Sequence, residues 1–163
     1  MRIGILSDTH NQIERASRAA RRLVDEGAEV LIHCGDITTP DVVYECALVP
    51  SYFVFGNNDD DEAGLRLAME LVNAVCLGYS GEIELGGKRI AVTHGDSAKA
   101  MRKLAEKGPH YLFFGHTHWP TDRREGSSRW VNPGALHRAS SWTVALLDLD
   151  EDLLRMLTID NKA

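Results

Sequence analysis

The sequence predicts an α/β fold of two packed, mixed β-sheets flanked by helices. Short apolar runs suit buried strands, the segments between the early runs have helical spacing, and the second half contains shorter strand-and-turn patterns. A length of 163 residues suits a single domain spanning 1–163. Hydrophobic content of 44% and charged content of 26% are typical of an ordinary globular protein.

The elements follow in order from these patterns. Apolar periodicity predicts helices at about 12–26, 40–47, 61–72 and 97–107. Early strands are expected at about 2–6, 30–32 and 52–55, and later ones at about 82–85, 88–92, 111–114, 129–132, 142–149 and 153–159. Gly86-Gly87 indicates a hairpin turn. We expect parallel strands in the first half and antiparallel strands in the second.

Five of the apolar runs end abruptly in a polar cluster. The clusters are Ser7-Asp8-Thr9-His10, His33-Cys34-Gly35-Asp36, Gly56-Asn57-Asn58-Asp59, Thr93-His94-Gly95-Asp96 and Gly115-His116-Thr117-His118. In open α/β sheets, ligand groups collect beyond the carboxyl ends of the strands. The five clusters therefore predict one site.

The chemistry of these side chains favours metal binding. Carboxylate, amide and imidazole groups together suit Mn²⁺, Fe, Zn²⁺, Co²⁺ or Ni²⁺. The seven candidate ligands exceed what one ion needs: Asp8, His10, Asp36, Asn57, His94, His116 and His118. A bridging carboxylate can hold two cations roughly 3.5–4 Å apart, and Asp36 is the candidate bridge. Each motif alone is more often structural, so the prediction depends on the five occurring together.

These same residues resemble the calcineurin-like metallophosphoesterase family over about residues 3–135. The matching motifs are D-x-H at Asp8, G-D at Gly35, G-N-x-D at Gly56, H-G at His94 and G-H-T-H at Gly115. The short length and the Asn132-Pro133-Gly134 segment resemble its small YfcE-like phosphodiesterase branch. The resemblance implies a four-layer metallophosphoesterase sandwich and a metal-dependent phosphodiesterase.

The resemblance also implies individual roles. One metal would be held by Asp8, His10, Asp36 and His118, and the other by Asp36, Asn57, His94 and His116. A hydroxide bound to the two divalent ions would attack phosphorus in line. Manganese is the first expectation, and nickel, zinc, iron and cobalt are alternatives. The residues assigned to catalysis are Asp36, Asn57, Asp59 and His94.

Two positions depart from the family pattern. Many members have histidine after the Asn of G-N-x-D, where it protonates the leaving oxygen, but this chain has Asn58. An amide cannot act as a general acid at neutral pH, which predicts a preference for good leaving groups. Asp59 is the nearest substitute acid, with orientation of a metal ligand as its alternative role. The second departure is Asp96, a carboxylate that would repel an anionic substrate unless protonated or paired.

Other polar residues receive structural interpretations. The acidic run 59–62 is expected to cap a helix, and the arginines at 15, 18, 21 and 22 to form a solvated helix face. His33 is expected to support the metal site or to pack in the core. His110 and His137 are interpreted as ordinary surface or loop residues. Arg138 is a weaker candidate for contacting a substrate phosphate.

Charge and cysteine content limit location and partners. A net charge of −6 provides no global attraction to nucleic acid or to an anionic membrane. The N-terminus lacks the pattern of a signal peptide, and three cysteines without CxxC spacing indicate the cytoplasm. A small phosphoester is the expected substrate, and a homo-oligomer stays open. The alternatives are a phosphomonoesterase, a nucleotide pyrophosphohydrolase and a non-catalytic scaffold like the retromer small subunit.

Overall fold

The structure is a computed structural model that describes residues 1–160. Within these residues the chain forms four helices and eleven strands. In chain order they are β1 (Arg2–Leu6), α1 (Ile13–Asp25), β2 (Val30–His33), α2 (Pro40–Cys46), β3 (Ser51–Phe53), α3 (Glu62–Leu71), β4 (Val75–Cys76), β5 (Ser80–Leu85), β6 (Lys88–Thr93), α4 (Ala98–Glu106), β7 (Tyr111–Phe113), β8 (Thr121–Glu125), β9 (Ser128–Asn132), β10 (Thr143–Asp148) and β11 (Leu153–Thr158).

The strands form two mixed sheets. The first has the order β11-β10-β1-β2-β3-β4, and the second has the order β5-β6-β7-β9-β8. Strands β1 to β4 are parallel neighbours, whereas β10 and β11 pair antiparallel at the other side of β1. The fold prediction of two mixed sheets is thereby confirmed.

Alternating side chains of the strands separate the molecule into four layers. On β1, Ile3 and Ile5 join a core between the two sheets, together with Val92 and Phe113 of the second sheet. Leu6 instead packs in the cluster formed with α1, α2 and α3. A smaller cluster packs α4 against the outer face of the second sheet. The order is therefore helices, sheet, sheet and helix, which confirms the predicted sandwich.

Gly4 shows how closely the outer layers pack. A β-carbon at this position would lie 2.5 Å from Cδ2 of Leu31 and 3.0 Å from Cδ1 of Leu23 on α1. Only a residue without a side chain lets the helix approach β1 at this distance.

The predicted division into parallel and antiparallel halves holds only in part, because the second half contains both kinds of pair. Strands β8 and β9 are antiparallel as predicted, and so are β10 and β11. Strand β5 does form an antiparallel hairpin with β6 around Gly86-Gly87, as predicted. However, β6 and β7 are parallel, and so are β7 and β9. Helix α4 forms the crossover between β6 and β7, and such a connection returns the chain in the same direction.

The sequence reasoning also missed two edge strands. Strand β8 has the sequence Thr-Asp-Arg-Arg-Glu and four of its five residues are exposed. Charged edge strands of this kind lack the apolar pattern by which buried strands are recognised. Strand β4 spans two residues and is equally hard to detect. The single domain over 1–163 stays a prediction, and residues 161–163 lie outside the described part of the chain.

Candidate metal centre

The five predicted clusters meet at one place in the sandwich. Backbone hydrogen bonds join the loops: Asp8 N–H donates to the carbonyl of Gly35 over 3.0 Å, and His10 N–H donates to that of Asp36 over 2.9 Å. Across the two sheets, the backbone N–H of His116 donates to Oδ2 of Asp8 over 3.0 Å. The carboxyl ends of strands in both sheets therefore contribute to a common site.

Several of the expected ligands have strained backbones. Asp8, His10, Asp36, His116 and His118 have φ angles of 52°, 46°, 56°, 67° and 61°. This left-handed conformation is uncommon for residues other than glycine, and it concentrates where a function requires a particular side-chain direction. This conformation directs the side chain toward the site within a few residues of the end of the strand.

Asp36 occupies the centre of the cluster. Its Oδ2 lies 3.5 Å from Nε2 of His10 and 3.4 Å from Nε2 of His94. The side-chain amide of Asn58 donates to the same oxygen over 2.7 Å, and the backbone N–H of Asn58 donates to Oδ1 over 2.9 Å. Burial works to raise the pKa of Asp36, but His94 and the Asn58 donors outweigh it and lower the pKa below its ordinary value.

Asp8 forms the second centre of negative charge. Its side chain is fully buried, and Oδ1 lies 3.1 Å from Nε2 of His118 and 3.9 Å from Nε2 of His94. Asp8 groups with His10 and His118 on one side, and with Asp36 and His94 on the other, as two neighbouring sets able to hold a metal ion.

Two buried polar atoms at this site provide a test of metal binding. Asp8 Oδ1 and His94 Nε2 have no hydrogen-bond partner within residues 1–160. Buried polar atoms normally have partners, because leaving one unsatisfied costs about 1–3 kcal/mol. Both atoms are ligand atoms of the kind that divalent metals bind. The residues present therefore fit a metal centre.

Two of the candidate histidine ligands are oriented by carbonyl groups. Nδ1 of His94 donates to the carbonyl of Cys34 over 2.8 Å, and Nδ1 of His118 donates to that of Arg138 over 3.2 Å. This leaves Nε2 of each ring available, which is the usual arrangement for histidine bound to a metal. Burial lowers the pKa of His94, but the carboxylates of Asp36 and Asp8 outweigh burial and raise it to about 9.

Asn57 and His116 are placed differently from the buried candidate ligands. Both are exposed, and both line an open cavity of about 340 Å³. The His116 ring lies 5.1 Å from the His94 ring, centroid to centroid. Five of the seven predicted ligands thus line this cavity. The other two are buried beside it, with His94 Nε2 3.4 Å from Asp36 Oδ2 and Asp8 Oδ1 3.1 Å from His118 Nε2. Asp96 is exposed, and the cavity is lined by other residues.

Asp59 is held by the backbone and is 4% exposed. Its Oδ1 accepts the N–H groups of Ile37 and Thr38, each over 2.7 Å. Its Oδ2 accepts those of Asp36 over 2.9 Å and Gly56 over 2.7 Å. Burial, together with the charge of Asp36, outweighs these backbone donors and raises the pKa of Asp59 above its ordinary value. The carboxylate thus connects the loop of Asp36 to the loop of Gly56 by hydrogen bonds.

His33 supports the site from the core, which was one of its two predicted roles. Its Nε2 pairs with the hydroxyl of Thr9 over 2.9 Å, and its Nδ1 accepts the N–H of Gly35 over 3.2 Å. Burial lowers the pKa of His33 to about 3, so the ring is neutral. The imidazole therefore links the loops that carry Asp8 and Asp36.

Two residues, His137 and Arg15, were interpreted wrongly or incompletely from sequence, whereas Arg138 lies where a phosphate contact was considered. His137 is not an ordinary loop residue, because it lines the cavity with its ring 4.6 Å from that of His10. Arg138 lines the same cavity. Arg15 is not merely solvated, since it stacks on Trp142 with its guanidinium 3.2 Å from the ring centroid. Loop conformation, which the sequence pattern does not specify, brings 137 and 138 to the site.

The other structural interpretations agree with the observed contacts. Asp61 caps α3 by accepting the N–H of Gly64 over 3.0 Å. His110 accepts the N–H of Arg89 over 2.9 Å at Nδ1, away from the cavity.

An α/β sandwich with a carboxylate and imidazole cluster at its strand ends fits a metal-dependent hydrolase. Residues 1–152 match the calcineurin-like phosphoesterase superfamily domain, and the chain belongs to that superfamily. The predictions of the superfamily, the fold and a phosphoric ester hydrolase are thereby confirmed. The superfamily implies divalent metal ions and a phosphoester substrate.

Individual relatives agree with this assignment. A phosphodiesterase of Methanocaldococcus jannaschii is 25% identical, over 98% of this chain and 100% of the relative. The solved structure of an archaeal phosphodiesterase superposes with a TM-score of 0.90 at 25% identity, covering 97% of this chain and 99% of that chain. YfcE, a phosphoesterase from E. coli, superposes with a TM-score of 0.70 at 19% identity, covering 98% and 100%. At this identity, the superposition with YfcE shows a shared fold. Among the described residues, no helix is both long and apolar enough to span a membrane.

Proposed function

We propose that this protein is a phosphodiesterase with a dinuclear centre of divalent transition metals. The position of Asp36 carries the proposal, because one carboxylate oxygen lies within 3.5 Å of the Nε2 atoms of both His10 and His94. A carboxylate so placed can serve two ions at once. The unsatisfied Asp8 Oδ1 and His94 Nε2 support ligand roles on both sides of it.

The two ligand sets follow the implied pattern. Asp8, His10, Asp36 and His118 would hold one ion, and Asp36, Asn57, His94 and His116 the other. Manganese is the first candidate, with nickel, zinc, iron and cobalt as alternatives. Bound ions of this kind lower the pKa of water and neutralise charge that develops on a phosphoryl group during in-line attack.

The chain itself contributes orientation more than proton transfer. The backbone N–H and the side-chain amide of Asn58 both donate to the carboxylate of Asp36, so Asn58 fixes the orientation of this carboxylate. Asp59 has both oxygens engaged by four backbone N–H groups. We therefore assign Asp59 a positioning role and not the role of substitute acid. Since Asn58 cannot protonate a leaving oxygen, the preference for good leaving groups follows.

The competing functions share the same centre. A phosphomonoesterase or a nucleotide pyrophosphohydrolase would use identical ligands, because these residues define the hydrolytic centre and not the pocket. A non-catalytic scaffold is disfavoured by the clustering of the seven candidate ligands at one cavity. The archaeal relatives described as phosphodiesterases support a diester as the substrate. Cytoplasmic location and oligomeric state stay predictions from the sequence.

Hydrolysis of a diester and a monoester of p-nitrophenol tests the proposal. Metal-stripped protein receives Mn²⁺, Ni²⁺, Zn²⁺ or Mg²⁺, with Asp36→Ala as the test variant and Asp60→Ala, at a neighbouring exposed carboxylate, as the matched control. We expect diester cleavage that requires metal, persists in the Asp60 variant and is lost in the Asp36 variant. Faster cleavage of the monoester would indicate a phosphomonoesterase, and no turnover with any metal would favour the scaffold.

A series of aryl alkyl phosphodiesters with phenols of increasing pKa tests the leaving-group preference. The rate is expected to fall steeply with the pKa of the phenol, because no side chain protonates the departing oxygen. The variant Asn58→His introduces a group that can protonate this oxygen, so its rate should depend less on the pKa of the phenol. Comparable rates across the series in the unchanged protein would contradict the assignment of Asn58.

A further inference from the structure

A second cavity lies directly beside the metal centre. It has a volume of about 450 Å³ and is lined by residues 116–120 and 138–141. His116, His118 and Arg138 line both this cavity and the one over the metal ligands. The two cavities therefore adjoin, and an ester group of a phosphate held at the candidate metal ligands can extend into the second one.

Trp119 is the most unusual residue of this cavity. Its side chain is 70% exposed. The other two tryptophans are packed, since Trp130 lies against Phe114 and Trp142 lies under Arg15. Within residues 1–160, Trp119 has no comparable contact with an aromatic ring or a guanidinium group. An indole left uncovered in a cavity beside a reactive centre is typical of a binding site for a planar group.

We propose that the second cavity binds the nucleoside of a small nucleotide diester, with the base stacked on Trp119. This inference rests on the proposed phosphodiesterase function and specifies its substrate class. Base stacking on an aromatic side chain is favourable for every base, because each has a π-face. The volume lies within the range of roughly 300–1,000 Å³ typical of small-ligand sites.

The polar groups of the cavity fit the same occupant. Arg138 lies where the two cavities join, so its guanidinium can contact a phosphate oxygen while the base occupies the second cavity. Ser140 and Ser141 provide exposed hydroxyls that can hydrogen-bond to the edge of a base or to a ribose. The net charge of −6 favours a small nucleotide over a long nucleic acid strand.

Competitive inhibition of chromogenic diester hydrolysis tests this subsite. Adenosine monophosphate and ribose 5-phosphate present the same phosphate and sugar, and differ in the base. We expect adenosine monophosphate to inhibit on the order of tenfold more tightly. In Trp119→Ala the two compounds should inhibit equally, whereas Trp119→Phe should retain most of the preference for adenosine monophosphate. Leu71→Ala, at a 66% exposed apolar residue on α3, is the control and should leave the ratio unchanged.

The outcomes separate the subsite from the hydrolytic function. Equal inhibition by both compounds, in protein with metal-dependent turnover, would overturn the subsite and leave the phosphodiesterase standing. Without turnover under any metal, calorimetric titration with adenosine monophosphate decides the subsite independently of activity. Binding that weakens about tenfold in Trp119→Ala supports it, and binding indifferent to Trp119 overturns it.

Discussion

Replacement of Asp59 by asparagine distinguishes a positioning carboxylate from a catalytic acid. The ionised side chain offers two oxygens, and each accepts two backbone N–H groups from the loops around Asp36 and Gly56. Asparagine keeps one oxygen and presents an NH₂ group to the other two donors. Since donors cannot bond to donors, the variant Asp59→Asn loses two of the four hydrogen bonds.

The expected cost is large compared with the stability of a domain. Hydrogen bonds to a charged group contribute about 1.5–3 kcal/mol each, so the loss of two amounts to about 3–6 kcal/mol. Domains are stable by roughly 5–15 kcal/mol in total. For a chain of 150–250 residues, 1 kcal/mol shifts the melting temperature by about 2–4 °C, which gives a decrease of at least about 6 °C.

Urea and thermal unfolding of metal-free protein measure this cost without a contribution from bound ions. Asp60→Asn is the matched control, since Asp60 is an exposed neighbouring carboxylate. Its free energy of unfolding should stay within about 0.5 kcal/mol of the unchanged protein. Hydrolysis of esters with good and poor leaving groups is then measured at a temperature where both variants are folded.

The positioning role predicts a similar fractional loss of rate for every leaving group, because the Asp36 loop is displaced as a whole. A general acid predicts the opposite combination: normal stability of Asp59→Asn, with a rate deficit confined to poor leaving groups. That combination would refute the assignment of Asp59 made from its backbone contacts.

Three further perturbations test the loops and the charge network. A β-carbon on Gly56 would lie 2.2 Å from Oδ1 of Asp36, so Gly56→Ala should lower activity about 100-fold. Gly87→Ala meets nothing within 4 Å and should cost only about 1–2 kcal/mol of stability for its φ of +70°; equal activity of the two variants would contradict the steric argument. The buried amide of Asn132 makes three hydrogen bonds, so Asn132→Ala should reduce the free energy of unfolding by about 2–4 kcal/mol, and an unchanged urea midpoint would refute this. Arg129 hydrogen-bonds to Asp122 and Asp152 and lowers the pKa of both carboxyl groups. The stability that these ion pairs give the fold is therefore fully present above the unfolded-state pKa of about 3.9, and it is lost as pH falls through the lower pKa values of the folded state. Arg129→Gln should cost about 1 kcal/mol at pH 7 and less at pH 3, whereas a pH-independent difference would exclude these ion pairs as its cause.

The candidate ligand residues could be selected from the sequence because each lies in a short segment with a strong local signal. Strands end in glycine or a small polar residue, and the next residues must then be the ones that face the crevice. Asp8 and His10 follow β1 in this way, as His116 and His118 follow β7. Local order along the chain therefore reveals the chemical types of the site. The family motifs add the pairing of ligands, which local order does not provide.

Other features depended on contacts between distant segments. The direction of β7 relative to β9 results from how the chain crosses the sheet, and the exposed β8 has no apolar pattern to reveal it. The sequence left two roles open for Asp59, substitute acid or orienting group, because its four backbone partners belong to loops that meet only after folding.

The sequence by itself determined the layered fold class, the seven candidate ligands and the phosphoesterase superfamily. The tertiary structure alone decided which loops approach each other, and so brought His137 and Arg138 beside the candidate metal ligands. The physical reason is the range of the interactions. Strand periodicity and chelating pairs are properties of a few consecutive residues. A cavity wall is formed by segments that are far apart in the chain, and local sequence patterns do not show which of these segments meet.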